Sequence, residues 1–217
     1  AAASRCHAFK ETTRRPIAAR NNAMIRDIAQ GLAERGVAPN TISMASVACA
    51  ALACLALSAS AWGGPFERFI LLLGAALCVQ GRLICNLLDG LVAVEGGRSA
   101  PDGAFWNEAP DRLSDLLILA GVGTAAFAPA LGLLAAALAI CTAYLREFGR
   151  AEGQAADYSG PMAKPQRMAV ATVTLVLASL AVPLGWSFGI LQLGLWVITL
   201  GTVATIALRS MTVLRGL

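Results

Sequence analysis

Runs of about twenty apolar residues, each long enough to cross the hydrocarbon core of a bilayer as a helix, recur along this chain, and two of them carry acids where lipid should exclude charge. The runs are approximately Thr41–Trp62, Phe66–Val94, Gly103–Phe127, Ala130–Arg150, Arg167–Leu184 and Phe188–Leu208. Within lipid a segment must satisfy its own backbone N–H and C=O groups, so runs of this kind specify helices. The balance of 57% hydrophobic to 14% charged residues, with a mean hydropathy of +0.67, excludes an ordinary soluble domain. The expected fold class is therefore all-α, a polytopic membrane protein with six transmembrane helices preceded by an N-terminal amphipathic interfacial helix.

Residues 1–15 read as a polar, basic tail that holds the sole histidine, His7, a bystander by its position. Over 16–36 the spacing of Ile17, Met24, Ile25, Ile28 and Leu32 gathers apolar side chains on one helical face, with Arg20, Arg26, Asp27 and Arg35 elsewhere. This is the pattern of a helix lying in a membrane interface. Pro39-Asn40-Thr41 then opens the domain expected over 37–217.

Arginines collect in the N-terminal segment, the Glu95–Asp102 link, the Arg146–Arg167 region and the C-terminal end, whereas the links at Gly63–Pro65, Pro129 and Pro183–Ser187 are nearly free of basic residues. The positive-inside rule places both termini in the cytoplasm. A bacterial inner membrane is the expected location. The net charge of +4 reads as topology and headgroup binding, and no basic patch interleaved with aromatics suggests nucleic acid. Cys6, Cys49, Cys54, Cys78, Cys85 and Cys141 have no paired-loop spacing, so small buried hydrophobes are expected. Gly121, Gly123, Gly132 and the alanine runs permit close helix approach, either within the chain or between two copies.

The acids concentrate between Asn86 and Asp115. Asn86 and Asp89 share a helix face, and Asn107, Asp111 and Asp115 form a stripe on the next span with Glu108 on its flank. Two antiparallel spans would bring these together as an oxygen-rich pocket, the donor type preferred by Mg²⁺, Mn²⁺ or Ca²⁺. Intramembrane acids are functional-site candidates by default. Gly90 and Ala93 leave one side without bulk, where a nucleotide can approach backbone. Arg82, on the same face but deeper, needs a partner in the cluster or in Gln80.

The string Asn86-x2-Asp89-Gly90-x2-Ala93-Val94-x8-Gly103-x3-Asn107-x3-Asp111 resembles the signature of the CDP-alcohol phosphotransferase family, Asp-x2-Asp-Gly-x2-Ala-Arg-x8-Gly-x3-Asp-x3-Asp. All spacings are kept over 26 residues, and five of the eight specified residues match. The interfacial helix and the Gly-x-x-Pro-Asn start of the first span resemble the family layout too. The resemblance implies transfer of a phosphatidyl group from CDP-diacylglycerol to a polar alcohol with release of CMP, a divalent metal (Mg²⁺ or Mn²⁺), and a homodimer. It makes Asp89 a metal ligand and Asp111 a ligand or the general base, with Asn86, Asp89, Gly90, Ala93 and Gly103 at the nucleotide.

Asn86 and Asn107 stand where the family has aspartates, and Val94 where it has arginine. An amide ligates through its carbonyl but brings no charge, so two negatives are missing from a site expected to hold two dications. Glu108 and Asp115 are the expected replacements, with Asn86 and Asn107 as neutral ligands. An ordinary intrahelical Asp115–Arg112 pair is the plainer reading of Asp115. Arg146-Glu147-Phe148 and Lys164 resemble parts of phosphatidylglycerophosphate synthases, which implies glycerol-3-phosphate as acceptor, held by Arg146, Arg150, Lys164 and Arg167. Inositol phosphate, another alcohol or a lipid hydroxyl are the alternatives within the family. A pseudoenzyme or an ion-binding membrane protein is the alternative outside catalysis.

Overall fold

The computed structural model describes residues 23–95 and 103–216, apart from the side chains at positions 23, 94, 95, 104 and 107. Expectations for the tail 1–15, with Cys6 and His7, for residues 16–22 and for the link 96–102 fall outside the described residues. Within them the chain is helical: α1 (Ala23–Glu34), α2 (Pro39–Ser60), α3 (Pro65–Glu95), α4 (Gly103–Ala125), α5 (Pro129–Ala151), α6 (Lys164–Leu180), a 3-10 turn (Val182–Leu184) and α7 (Ser187–Gly216). Prolines open α2, α3 and α5, where a fixed φ suits the helix and a missing N–H costs nothing.

The fold is all-α, as the apolar runs predict. Helices α2, α3, α5 and α7 are each long and apolar enough to cross a membrane, which makes this a multi-pass membrane protein. The other two fall short of that measure for local reasons. Helix α4 carries Glu108, Asp111, Arg112 and Asp115 between its second and fourth turns, and α6 has only 17 residues.

Packing runs around the bundle from α3 to α2, α4, α5, α7, α6 and back to α3. Its core is aliphatic and small, built from residues such as Ala53, Leu57, Leu72, Ile118, Ala135 and Leu195. The small residues serve contacts within the chain. A Cβ at Gly132 would stand 2.7 Å from the Cα of Gly123, and one at Gly121 would stand 3.0 Å from the Cα of Cys54. Backbones thus touch where α4 meets α5 and α2. The described cysteines are free; Cys141 is exposed and the others are half-buried.

Helix α1 lies across one end of the bundle. Its Ala29, with Ile25, Leu32 and Ala33, packs on Ile42 of α2 and on Leu91 and Val92 of α3, while Met24 and Ile28 remain exposed. This packing divides the apolar residues expected on one face, with Ile25 and Leu32 against the bundle and Met24 and Ile28 outward. It also sets α1 beside the C-terminal end of α3, which carries Asp89.

The opposite end is closed by Arg68, a residue the sequence marks only as a charge near a link. Its Nη1 donates to the Ser60 carbonyl at 2.8 Å, Nη2 to the Ala125 carbonyl at 2.9 Å and Nε to Ser187 Oγ at 2.9 Å. The guanidinium also lies 3.7 Å from the ring centroid of Phe188. Three helix ends therefore share one side chain. Arg68→Met keeps bulk but strands the three acceptors, each worth on the order of 1 kcal/mol, and is expected to lower the detergent melting temperature by several degrees. An unchanged melting temperature would show that water takes over these bonds.

Candidate active site

Helices α3 and α4 run antiparallel, so the C-terminal half of α3 meets the N-terminal half of α4. Pro110, inside α4, gives the helix no N–H just before Asp111. The two sequence stripes converge at this end. Asn86 Nδ2 donates to Asp111 Oδ1, and Arg82, fully buried, reaches Asp115 Oδ1 at 2.9 Å and Asp111 Oδ1 at 3.4 Å. Of the two partners proposed for Arg82, it takes the acidic cluster; Gln80 instead donates to Thr172 Oγ1. Asp89 is 7% exposed and lies within electrostatic reach of Asp111 and Lys164.

Helix α2 contributes two hydroxyls that the sequence reading missed. Ser43 Oγ donates to Asp89 Oδ2 and Ser46 Oγ to Asn86 Oδ1, each at 2.8 Å. Their spacing of three places them on one face of α2, the signal by which they were findable. In this arrangement the Asn86 carbonyl accepts from Ser46 while its NH2 faces Asp111.

The cations expected to bind an acceptor phosphate are already paired with acids. Lys164, at the start of α6, donates to Asp111 Oδ2. Arg167, one turn on and 1% exposed, bonds Asp115 Oδ2 at 2.6 Å. Arg146 Nη2 meets Glu108 Oε1 at 2.6 Å and Nε meets Glu147 Oε1 at 2.9 Å, and its guanidinium stands 5.5 Å from the Tyr158 ring. Arg150 pairs with Glu147 at 3.1 Å. Lys164 and Arg167 thus belong to the acidic cluster, and Arg146 and Arg150 to a second network on α5.

Asp115 and Glu108, expected to supply the missing metal charge, are each held by cations in this structure. Both oxygens of Asp115 are taken by guanidinium groups, from α3 and α6, and its partners are Arg82 and Arg167 rather than Arg112. Glu108 is held by Arg146 and by Arg112, which is 3.0 Å from it. Asn107 lies on α4, but its side chain is outside the described residues, as is that of Glu95. Gly90 and Ala93 sit in the last turns of α3 and Gly103 begins α4.

Tested against a divalent cation, the described donors fit one ion. Among the described residues no three histidine, cysteine or acidic side chains converge on a common point. Asp111 has Asn86 and Arg82 on one oxygen and Lys164 on the other, and Asp89 has Ser43 on Oδ2. Hard cations prefer carboxylate oxygens. Among the described residues at this point, Asp89, and Asp111 after exchange of Lys164, offer such oxygens.

No family model matches the sequence, and no curated protein matches it. Solved structures do. The Mycobacterium tuberculosis phosphatidylinositol phosphate synthase with CDP-DAG bound superposes with a TM-score of 0.73 at 21% identity, covering 88% of this chain and 94% of that one. The same synthase in complex with manganese and citrate gives 0.72 at 21% identity, covering 87% and 88%. Its apo form gives 0.68 at 22%, covering 86% and 94%. The chain therefore has the polytopic helical fold of the M. tuberculosis phosphatidylinositol phosphate synthase.

Proposed function

We propose that the protein is a CDP-alcohol phosphotransferase that moves the phosphatidyl group of CDP-diacylglycerol to a polar alcohol and releases CMP. One observation carries this reading. The two acids that keep their place in the family spacing, Asp89 and Asp111, are brought to one end of antiparallel helices, in a fold shared with a synthase solved with CDP-DAG. All six helices α2–α7 cross the bilayer in this reading, α4 because its acids face the bundle and α6 because the following 3-10 turn lengthens it. The positive-inside bias puts the site at the cytoplasmic side, where α1 lies in the interface.

Asp89 and Asp111 would hold a Mg²⁺ or Mn²⁺ ion, which supplies neutralisation of the pyrophosphate charge and of the CMP leaving group. The relative was solved with manganese. The chain's own residues do the rest. Asp111 accepts the proton of the acceptor hydroxyl; the oxygen attacks the phosphatidyl phosphorus, and the bond to CMP breaks with its electron pair leaving on CMP. Ser43 and Ser46 orient Asp89 and Asn86 from α2, and Gly90, Ala93 and Gly103 leave room for the nucleotide. Lys164 and Arg82 bear on Asp111, and Asp115 positions Arg82 and Arg167.

A phosphorylated alcohol suits a site with this many cations. Glycerol-3-phosphate is the first expectation, from Arg146-Glu147-Phe148 and Lys164; inositol phosphate stands beside it because the solved relative is a phosphatidylinositol phosphate synthase. A homodimer belongs to the same reading by resemblance. A catalytically silent protein is favoured by one observation, the Lys164 ammonium seated on Asp111.

The test is purified protein with labelled CDP-diacylglycerol, Mg²⁺ or Mn²⁺ and a panel of alcohols, with the lipid product identified by mass. CMP release together with one new phospholipid is expected. Absence of CMP across the panel, with CDP-diacylglycerol bound, would establish the silent reading.

A further inference from the structure

Among the described residues, the charges around Asp111 cancel without any ion from solution. Three carboxylates, Asp89, Asp111 and Asp115, are matched by three cations, Arg82, Lys164 and Arg167. Arg112, 3.9 Å from Asp111, is balanced by Glu108. Burial makes this balance matter. Arg82, Asp115 and Arg167 are each at most 1% exposed, and charges in such a setting interact through a far lower dielectric than water. Asn86 adds no charge and turns its NH2, a donor, toward Asp111.

A dication entering this neutral cluster alone would leave it with two uncompensated positive charges. Arg82 already has Nε and Nη1 buried without a hydrogen-bond partner, so the cluster has surplus donors rather than surplus acceptors. The pyrophosphate of a CDP-linked lipid carries one negative charge on each phosphate. Brought in together, one dication and one pyrophosphate restore neutrality, and the phosphate oxygens supply ligands that the protein lacks. A second dication would again leave excess positive charge.

From this balance we propose that the protein does not take up a divalent metal before its substrate: it binds a single dication, and only jointly with the pyrophosphate of the CDP-linked lipid. Lys164 is the residue that enforces the order. Its ammonium holds Asp111 Oδ2 in the substrate-free protein, and it is 25% exposed on its side chain, free enough to swing onto an incoming phosphate. The inference rests on the function proposed above, and it sets this chain apart from a site with four aspartates, which has the charge to hold metal by itself.

The experiment follows Mn²⁺ binding by loss of the free-ion EPR signal, with the full chain in nanodiscs of zwitterionic lipid, with and without CDP-diacylglycerol. CDP-diacylglycerol binding is measured in parallel, with Mn²⁺ and with EDTA. The expected result is no saturable Mn²⁺ binding without the lipid, one Mn²⁺ per chain with it, and a rise in Mn²⁺ affinity of at least about tenfold. Linkage requires Mn²⁺ to tighten the lipid by the same factor. Lys164→Met and Asn86→Asp each add one net negative charge and are expected to bind Mn²⁺ without lipid; two variants guard against one failing to fold. Saturable Mn²⁺ binding to the lipid-free wild type would overturn the ordered uptake and leave the transferase reading standing. Equal lipid binding in EDTA would overturn it in favour of a site that binds the nucleotide by protein cations alone. No lipid binding under any condition would overturn both.

Discussion

Asp111→Ala is expected to lower CMP release from CDP-diacylglycerol by about 10³-fold, within the range that general acid–base groups supply, while the protein stays folded. Asp111 is the acid on which the site converges, through Asn86, Arg82 and Lys164. Its loss is tolerable to the fold because Arg82 keeps Asp115 and because Lys164, a quarter exposed, can turn to water. The check is a rate measured on protein whose melting temperature matches the wild type. Retention of more than about a tenth of the activity would remove Asp111 from the base role. Glu108→Gln is the companion variant. If Glu108 restored a missing metal charge, its loss would resemble that of Asp111; held instead by Arg112 and Arg146, it is expected to cost no more than about tenfold.

The helices were legible because bilayer thickness imposes a length that the apolar runs display directly. The breaks between them were legible where proline marks them: Pro65 and Pro129 each open a helix, as their fixed φ allows. The meeting of Asn86 with Asp111 was legible too, since spacing on a helix fixes which side chains share a face, although α2 packs against both α3 and α4. What the sequence could not rank was the partner of each charge. Asp115 lies four residues from Asp111 and three from Arg112, so local spacing favours a metal stripe or an intrahelical pair. The fold instead brings Arg82 from α3 and Arg167 from α6 to it. Those partners are 33 and 52 residues away, and no periodicity reports contacts between separate helices. Ser43 and Ser46 were passed over for the same reason, as hydroxyls in a span whose facing helix was unknown.

Asp115→Asn is expected to produce the largest loss of stability in the chain, about 3–5 kcal/mol, the cost of breaking a buried ion pair from one side. An amide can accept from one guanidinium but not neutralise two, and Arg82 and Arg167 are both buried too deeply for water to compensate. The measurement is detergent unfolding followed by helical signal, beside activity per folded molecule. A stable Asp115→Asn protein with lost metal affinity would return Asp115 to the donor set. The buried-pair account makes a further demand: removing all three charges together, as Asp115→Leu with Arg82→Met and Arg167→Met, should recover much of the stability that Asp115→Asn loses, because apolar residues of similar volume can replace a buried ionic group. That variant should still be inactive. Arg82 also touches Asp111, so the strap between α3, α4 and α6 sets the position of the proposed base, and stability regained without it leaves Asp111 unplaced.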